Sequence, residues 1–203
     1  MTANYYSRCL SKVAVFLALV TLLLGCERTE SPQRFNSTDI TGANFARDFS
    51  LLDQKGRLRT LADFRGKVVV VFFGYTHCPD FCPATLSEFK FISQKLGESA
   101  DEIRFVFVTL DPERDTPPKL ETYLKAFDPK FVGLTGSIDD VSTTAKEFKV
   151  IFQRVETSKP ERYSVDHSTG TFVFDKLGRI RLFIPYGKSV EETLKDLQIL
   201  LNE

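Results

Sequence analysis

Residues 67–74 of the chain read KVVVVFFG, an unbroken run of β-branched and aromatic residues behind a single lysine. A run that is apolar on both faces of a strand is typical of a central strand with helices packed on each side. The sequence CPDFCP follows at residues 78–83, where the pattern changes from strand to helix. The carboxyl ends of the strands are the usual ligand side of an open α/β sheet. The sequence therefore predicts two cysteines on that side.

Strand and helix patterns alternate outward from this run. A short hairpin is predicted between residues 49–52 and 58–61, and the polar residues 157–166 are predicted to be a loop. The order of elements predicts a three-layer α/β/α domain with a mixed central sheet and an N-terminal β-hairpin. The remaining predicted strands are 103–110, 131–134, 150–156, 171–175 and 179–184, and the predicted helices are 80–96, 137–149 and two that open at Thr116 and Ser189.

The composition limits the size and class of the protein. The 203 residues suffice for one ordinary domain, and 42% of them are hydrophobic, which excludes disorder for the bulk of the chain. The 27 basic residues are balanced by 27 acidic ones, which argues against nucleic acid as a partner. Four cysteines and two histidines are the only soft or imidazole ligands, so any metal site has few candidates.

The N-terminus is predicted to be an export signal. Two basic residues, Arg8 and Lys12, precede the uncharged residues 13–24, which are fewer than the roughly 20 needed to cross a bilayer. The run ends in LLGC, which resembles the lipobox of bacterial lipoproteins and predicts lipidation of Cys26. An uncleaved N-terminal anchor is the alternative.

These features predict three regions. Residues 1–25 form a lipoprotein signal peptide, residues 26–44 a flexible polar tether, and residues 45–203 the folded domain. The protein is expected at the cell membrane, anchored by its lipid and facing the periplasm, which is an oxidising compartment. With Cys9 removed and Cys26 lipidated, only Cys78 and Cys82 remain in the domain.

The spacing of Cys78 and Cys82 leaves two chemistries open. Residues four apart on a helix share a face, with Cβ atoms about 5–6 Å apart. A disulfide prefers Cβ atoms roughly 3.5–4.5 Å apart, so it needs some distortion, whereas two sulfurs on one metal ion need less. Because the pair lies at a helix N-terminus, its thiol pKa is expected to be lowered.

His167 is the third candidate ligand. It lies 89 residues after Cys78, just before the predicted strand 171–175, and could reach the cysteines if that strand belongs to the same sheet. Two thiolates and one imidazole suit copper best, because zinc would need a fourth ligand. The plain alternatives are a structural disulfide and a solvated histidine. His77 is a competing imidazole, which is expected to point away from the cysteines.

Three separated motifs resemble the Sco (synthesis of cytochrome c oxidase), or SenC, family over about residues 45–203. They are GYTHCPDFCP at 74–83, DPERDTP at 111–117 and DHS at 166–168. The resemblance implies a thioredoxin-like fold and one copper, Cu(I) or Cu(II), bound by Cys78, Cys82 and His167. It also implies delivery of copper to the binuclear copper A centre of cytochrome c oxidase. No ligand role is assigned to residues 111–116, and Asp166 is a candidate to orient His167.

Two neighbouring families fit less well. Thioredoxin-type oxidoreductases carry CxxC and a cis-proline before the strand that begins here at Thr171, and residues 168–170 contain no proline. Peroxiredoxins have threonine where this chain has Tyr75. Both departures favour copper handling.

The resemblance implies a monomeric copper chaperone, a binding protein more than an enzyme. Its expected partners are cytochrome c oxidase subunit II and a periplasmic copper donor or thiol reductant. The alternative is a thiol-disulfide oxidoreductase, in which Cys78 and Cys82 reduce the copper-ligand cysteines of subunit II. A copper- or redox-sensing protein is a third hypothesis.

Overall fold

The computed structural model describes residues 35–156 and 163–203. Within these residues, no helix is long and apolar enough to cross a membrane. Two short 3-10 helices, Leu61–Phe64 and Gly97–Glu102, accompany the regular elements. The strands are β1 Thr38–Asp39, β2 Leu51–Asp53, β3 Leu58–Arg59, β4 Val68–Gly74, β5 Ile103–Thr109, β6 Val132–Thr135, β7 Phe152–Val155, β8 Ser164–His167, β9 Thr171–Phe174 and β10 Ile180–Ile184, and the helices are α1 Phe81–Leu96, α2 Pro117–Lys125, α3 Ile138–Glu147 and α4 Val190–Asn202.

Eight of the strands form one mixed sheet in the order β1-β10-β9-β4-β5-β6-β2-β3. The predicted central run is β4, which pairs in parallel with β5 over seven residues and antiparallel with β9. The strand after His167 therefore lies in the same sheet as the strand before the cysteines. This is the condition under which His167 could reach them. The predicted N-terminal hairpin is also confirmed, because β2 pairs antiparallel with β3.

Helices cover both faces of the sheet, as predicted. Every residue of β4 is buried. The ring of Phe72 packs edge-on against Phe89 of α1, with ring centroids 6.2 Å apart. Its neighbour Phe73 points to the other face and packs at 5.1 Å against Phe148, the residue after α3. Alternate side chains of β4 thus contact different helical layers, which explains why the whole run is apolar.

Residues 35–44, which the sequence assigns to the tether, belong to the compact unit Phe35–Glu203 of the described structure. The carboxylate of Asp196 in α4 accepts hydrogen bonds from the backbone N–H of Asn36 at 2.7 Å and of Ser37 at 2.8 Å. The next residues form β1 and pair with β10 at the sheet edge. These contacts use backbone groups, so the polar composition of the segment gave no sign of them. The predicted signal peptide and Cys26 lie outside the described residues.

The predicted loop at residues 157–166 is partly wrong, because its last residues belong to a strand. Ser164–His167 form β8, which pairs antiparallel with β7 so that His167 lies opposite Phe152. The two strands form a sheet of their own, separate from the eight-stranded one. Only Val165 of β8 is buried, so the strand is polar enough to be taken for a loop. Residues 157–162 lie outside the described residues.

Candidate functional site

The two domain cysteines lie where β4 ends and α1 begins. Both thiols are free and buried, with Cys78 8% exposed and Cys82 fully covered. The backbone N–H of Cys78 donates to the carbonyl of Tyr75 at 3.2 Å, which closes the turn between strand and helix. The backbone N–H of Cys82 points at the sulfur of Cys78, 3.4 Å away. The sulfur of Cys78 therefore faces the first turn of α1 and accepts a backbone donor there.

Gly74, the last residue of β4, makes room for the second sulfur. A Cβ atom at this position would lie 2.6 Å from the Cys82 sulfur and 3.0 Å from the ring of Phe107. Only a residue without a side chain lets the sulfur pack this closely against the end of the strand. Gly74 is thus part of the site.

The expected lowering of the thiol pKa is wrong for Cys82. Burial raises the pKa of Cys82 far above its ordinary value, and a hydrogen bond with the backbone of Tyr75 offsets this only in part. Although Cys82 lies in the first turn of α1, its sulfur is turned into the apolar interior. Loss of solvation there outweighs the favourable field of the helix N-terminus.

His167 lies beside the turn that leads to the cysteines. Its ring meets the ring of Tyr75 edge-on, with centroids 6.2 Å apart, and Tyr75 immediately follows β4. The Nδ1 atom lies 2.9 Å from the carbonyl oxygen of Ser168. Because a carbonyl oxygen can only accept, Nδ1 donates in this contact, and in the neutral imidazole the lone pair is then on Nε2, where it can bind a ligand.

The three predicted ligands approach one another but do not form a closed set. In residues 35–156 and 163–203, the one group of three candidate ligand atoms within 4.8 Å of each other is formed by His77, Asp111 and Asp115. Cys78, Cys82 and His167 do not form such a group, so at least one pair of their ligand atoms lies farther apart than this limit. To bind a single ion, at least one of these three side chains must therefore change its position.

The group of His77, Asp111 and Asp115 is better explained as a hydrogen-bonded network than as a cation site. The carboxylate of Asp111 is paired with the guanidinium of Arg114. The Nε2 atom of His77 lies 3.0 Å from the ammonium of Lys119. Burial lowers the pKa of His77, and the charges of Lys119 and Arg114 lower it further. Two fixed cations at these ligand atoms oppose a third positive charge.

The family model described as SCO1/SenC matches residues 37–202. The chain belongs to the SCO1/SenC family. It is 39% identical over 132 residues to the SCO2-like protein RP587 of Rickettsia prowazekii, which is 64% of each chain. It is 35% identical over 153 residues to the mitochondrial protein SCO2 homolog of Mus musculus, covering 74% of this chain and 60% of that one. The match therefore spans less than two thirds of the length of both relatives.

Solved SCO1/SenC structures share the fold. The copper-bound ScoI of Bradyrhizobium japonicum superposes with a TM-score of 0.69 at 35% identity, over 75% of this chain and 97% of that one. The apo Sco1 protein of Thermus thermophilus superposes with a TM-score of 0.74 at 37% identity, over 84% of this chain and 99% of that one. The thioredoxin-like fold implied by the resemblance is thus confirmed.

Asp115 lies beside the candidate site of this SCO1/SenC chain, and its sequence motif did not predict the contacts that it makes there. Its fully buried carboxylate accepts hydrogen bonds from the backbone N–H of Thr76 at 2.9 Å and from its hydroxyl at 2.5 Å. It accepts a third from the hydroxyl of Thr109 at 2.7 Å. Asp115 therefore fixes the turn two residues before Cys78. Asp115 belongs to the motif at 111–117, but the sequence predicts a polar loop and a helix cap there and no ligand.

Proposed function

We propose that this protein binds one copper ion through Cys78, Cys82 and His167 and serves in the assembly of the copper A centre of cytochrome c oxidase. The observation that carries the proposal is the pair of free, buried thiols beside an imidazole whose Nε2 atom is available. Membership of the SCO1/SenC family and the copper-bound ScoI of Bradyrhizobium japonicum support it.

The donor set fits copper as the cargo. Two thiolates and one imidazole form a soft, low-coordinate set, which suits Cu(I) and, with one further ligand, Cu(II). Because burial raises the pKa of Cys82, that thiol is protonated in the metal-free protein, and copper must displace its proton on binding. Release then proceeds by ligand exchange, when a partner with more or better-placed ligands takes the ion.

The place of action follows from the N-terminal sequence. Cleavage after residue 25 and lipidation of Cys26 would anchor a monomer to the cell membrane with its domain in the periplasm. Cytochrome c oxidase subunit II is then the acceptor of copper. A periplasmic copper donor or thiol reductant acts upstream, because Cys78 and Cys82 must be reduced before they bind the ion.

A second candidate function is reduction of a partner's disulfide. Cys78 is the more exposed of the two adjacent thiols, so its thiolate would attack and form a mixed disulfide. Cys82 would then attack the Cys78 sulfur, forming an internal disulfide and releasing the partner as a dithiol. Two electrons pass to the partner, and an upstream dithiol must restore the pair.

Copper titration of single-site variants tests the first proposal. The full chain is purified in detergent and titrated against a Cu(I) chelator of known affinity. We expect the parent to bind one equivalent, and Cys78→Ser, Cys82→Ser and His167→Ala to lose at least about tenfold in affinity. His77→Ala is the matched control and should bind as the parent does. The proposal fails if Cys78→Ser and His167→Ala hold copper as tightly as the parent.

A further inference from the structure

The loop 111–115 contacts both halves of the proposed copper site. On one side, the carboxylate of Asp115 accepts hydrogen bonds from the backbone N–H of Thr76 at 2.9 Å and from its hydroxyl at 2.5 Å. Thr76 lies in the turn that carries Cys78. The carboxylate is fully buried, so these bonds are made away from water, where they are strong.

On the other side, the same loop contacts Tyr163, which lies four residues before His167. The phenol of Tyr163 donates to the carboxylate of Asp111 at 2.7 Å. The guanidinium of Arg114 donates to the carbonyl of Tyr163 at 3.0 Å and stacks 3.5 Å from the centre of its ring. Since Arg114 is also paired with Asp111, the three side chains form a closed cluster.

The hairpin β7–β8 depends on such side-chain contacts for its position. In the part of the chain that the structure describes, its two strands are not paired with the eight-stranded sheet, so no backbone ladder fixes them there. The guanidinium of Arg154 in β7 also donates a hydrogen bond to the carboxylate of Glu113 in this loop, at 3.2 Å. Arg154 also stacks 3.6 Å from the centre of the Tyr163 ring. The loop 111–115 is therefore a polar attachment point of the strand that ends in His167.

We infer that loop 111–115, with Tyr163, is a bracket that sets the distance between the cysteine turn and His167. Asp115 fixes the cysteine side, whereas Asp111 and Arg114 fix the histidine side through Tyr163. These are positioning residues, since none of them is proposed to touch copper. The inference rests on the proposed function, because it assigns the bracket to that site.

Tyr163→Phe is the sharpest variant, because it removes one hydrogen bond and keeps the ring between its two arginines. We expect it to weaken copper binding about tenfold, as for the loss of a hydrogen bond to a charged group. Tyr186→Phe removes an exposed phenol and serves as the matched control. It should bind copper as the parent does.

A double-mutant cycle separates positioning from general stabilisation. If Tyr163 acts through His167, then Tyr163→Phe has no further effect on copper affinity in the His167→Ala background. If Tyr163→Phe lowers copper affinity equally in the parent and in the His167→Ala background, its role is merely structural and the inference is overturned. Unchanged affinity of Tyr163→Phe in the parent background would overturn it as well.

Imidazole NMR of the metal-free full chain in detergent supplies a readout that does not need copper. The chain contains two histidines, so two sets of ring signals are expected. Tyr163→Phe should shift or broaden the His167 set, and an unmoved His167 set contradicts the bracket. If the parent binds no copper, the proposed function fails, yet the NMR result still decides whether Tyr163 positions His167.

Discussion

The carboxylate of Asp115 lies 2.5 Å from the hydroxyl of Thr76 and accepts the backbone N–H of the same residue. These two residues, 39 apart in the chain, join the loop after β5 to the cysteine turn after β4. Both strands end at the same edge of the sheet because they run in parallel. The turn that presents Cys78 is thus fixed by a neighbouring loop as well as by its own backbone.

Asp115→Asn is expected to lower the free energy of unfolding by about 1–3 kcal/mol, because an amide nitrogen would then face donors that need an acceptor. Urea denaturation followed by circular dichroism measures the change. Glu121→Gln, at an exposed position in α2, is the control and should leave the midpoint where it is. Equal midpoints for Asp115→Asn and the parent would contradict the role given to Asp115.

Gly74→Ala is expected to destabilise the fold by about 1–3 kcal/mol, as overpacking of a core does. The new methyl would lie 2.6 Å from the Cys82 sulfur. Removing that sulfur should relieve part of the strain, so Gly74→Ala with Cys82→Ala should lose less stability than the two single losses added together. Strict additivity in urea denaturation would show that the two residues do not interact.

Asp53 is expected to make stability depend on pH in the acid range. Burial alone would raise its pKa, but hydrogen bonds from the backbone and side chain of Arg57, the side chain of Arg59 and the backbone of Lys55 lower it to about 2. Because the folded-state pKa is below the unfolded value of 3.8, the stabilisation is present above pH 3.8 and is lost as the pH falls towards 2. It amounts to about 2 kcal/mol for this nearly covered carboxylate.

Urea midpoints at pH 6 and pH 2.5 measure the Asp53 contribution. The parent should lose more stability between the two values than Asp53→Asn, which cannot titrate at this position. The same pH dependence in both proteins would place the effect on other carboxylates.

His167→Ala separates the two candidate functions. If the cysteines act as a reductant, reduced His167→Ala should still reduce a model disulfide at about the parent rate, because the imidazole takes no part in thiol exchange. The same variant should bind copper much more weakly. Cys78→Ser, which lacks the attacking thiol, is the control and should lose both disulfide reduction and copper binding. Reduction that disappears with His167 would contradict this division of roles.

The fold was predictable where one residue pattern dominates. The run at residues 67–74 predicts β4 because the strand is buried on both faces. β1 and β8 were not predicted, since both consist largely of polar residues and are defined by backbone pairing. A sequence shows which side chains avoid water, but it does not show which backbone groups find partners.

The site was predictable only in part, for a related reason. The spacing of Cys78 and Cys82 places them at a helix start, and the structure puts them there. Spacing does not reveal how deeply the Cys82 sulfur is buried. The pKa of this thiol was therefore expected to be lowered, whereas burial raises it. The role of Asp115 depends on contacts with Thr76 and Thr109, which only the packed sheet brings together.

X-ray absorption at the copper edge of the loaded full chain tests the central claim most directly. We expect the nearest shell of the parent to contain two sulfur atoms and one imidazole nitrogen. The imidazole scattering should disappear in His167→Ala and persist in His77→Ala. A shell without sulfur, or a spectrum that is the same in His167→Ala as in the parent, would contradict the account.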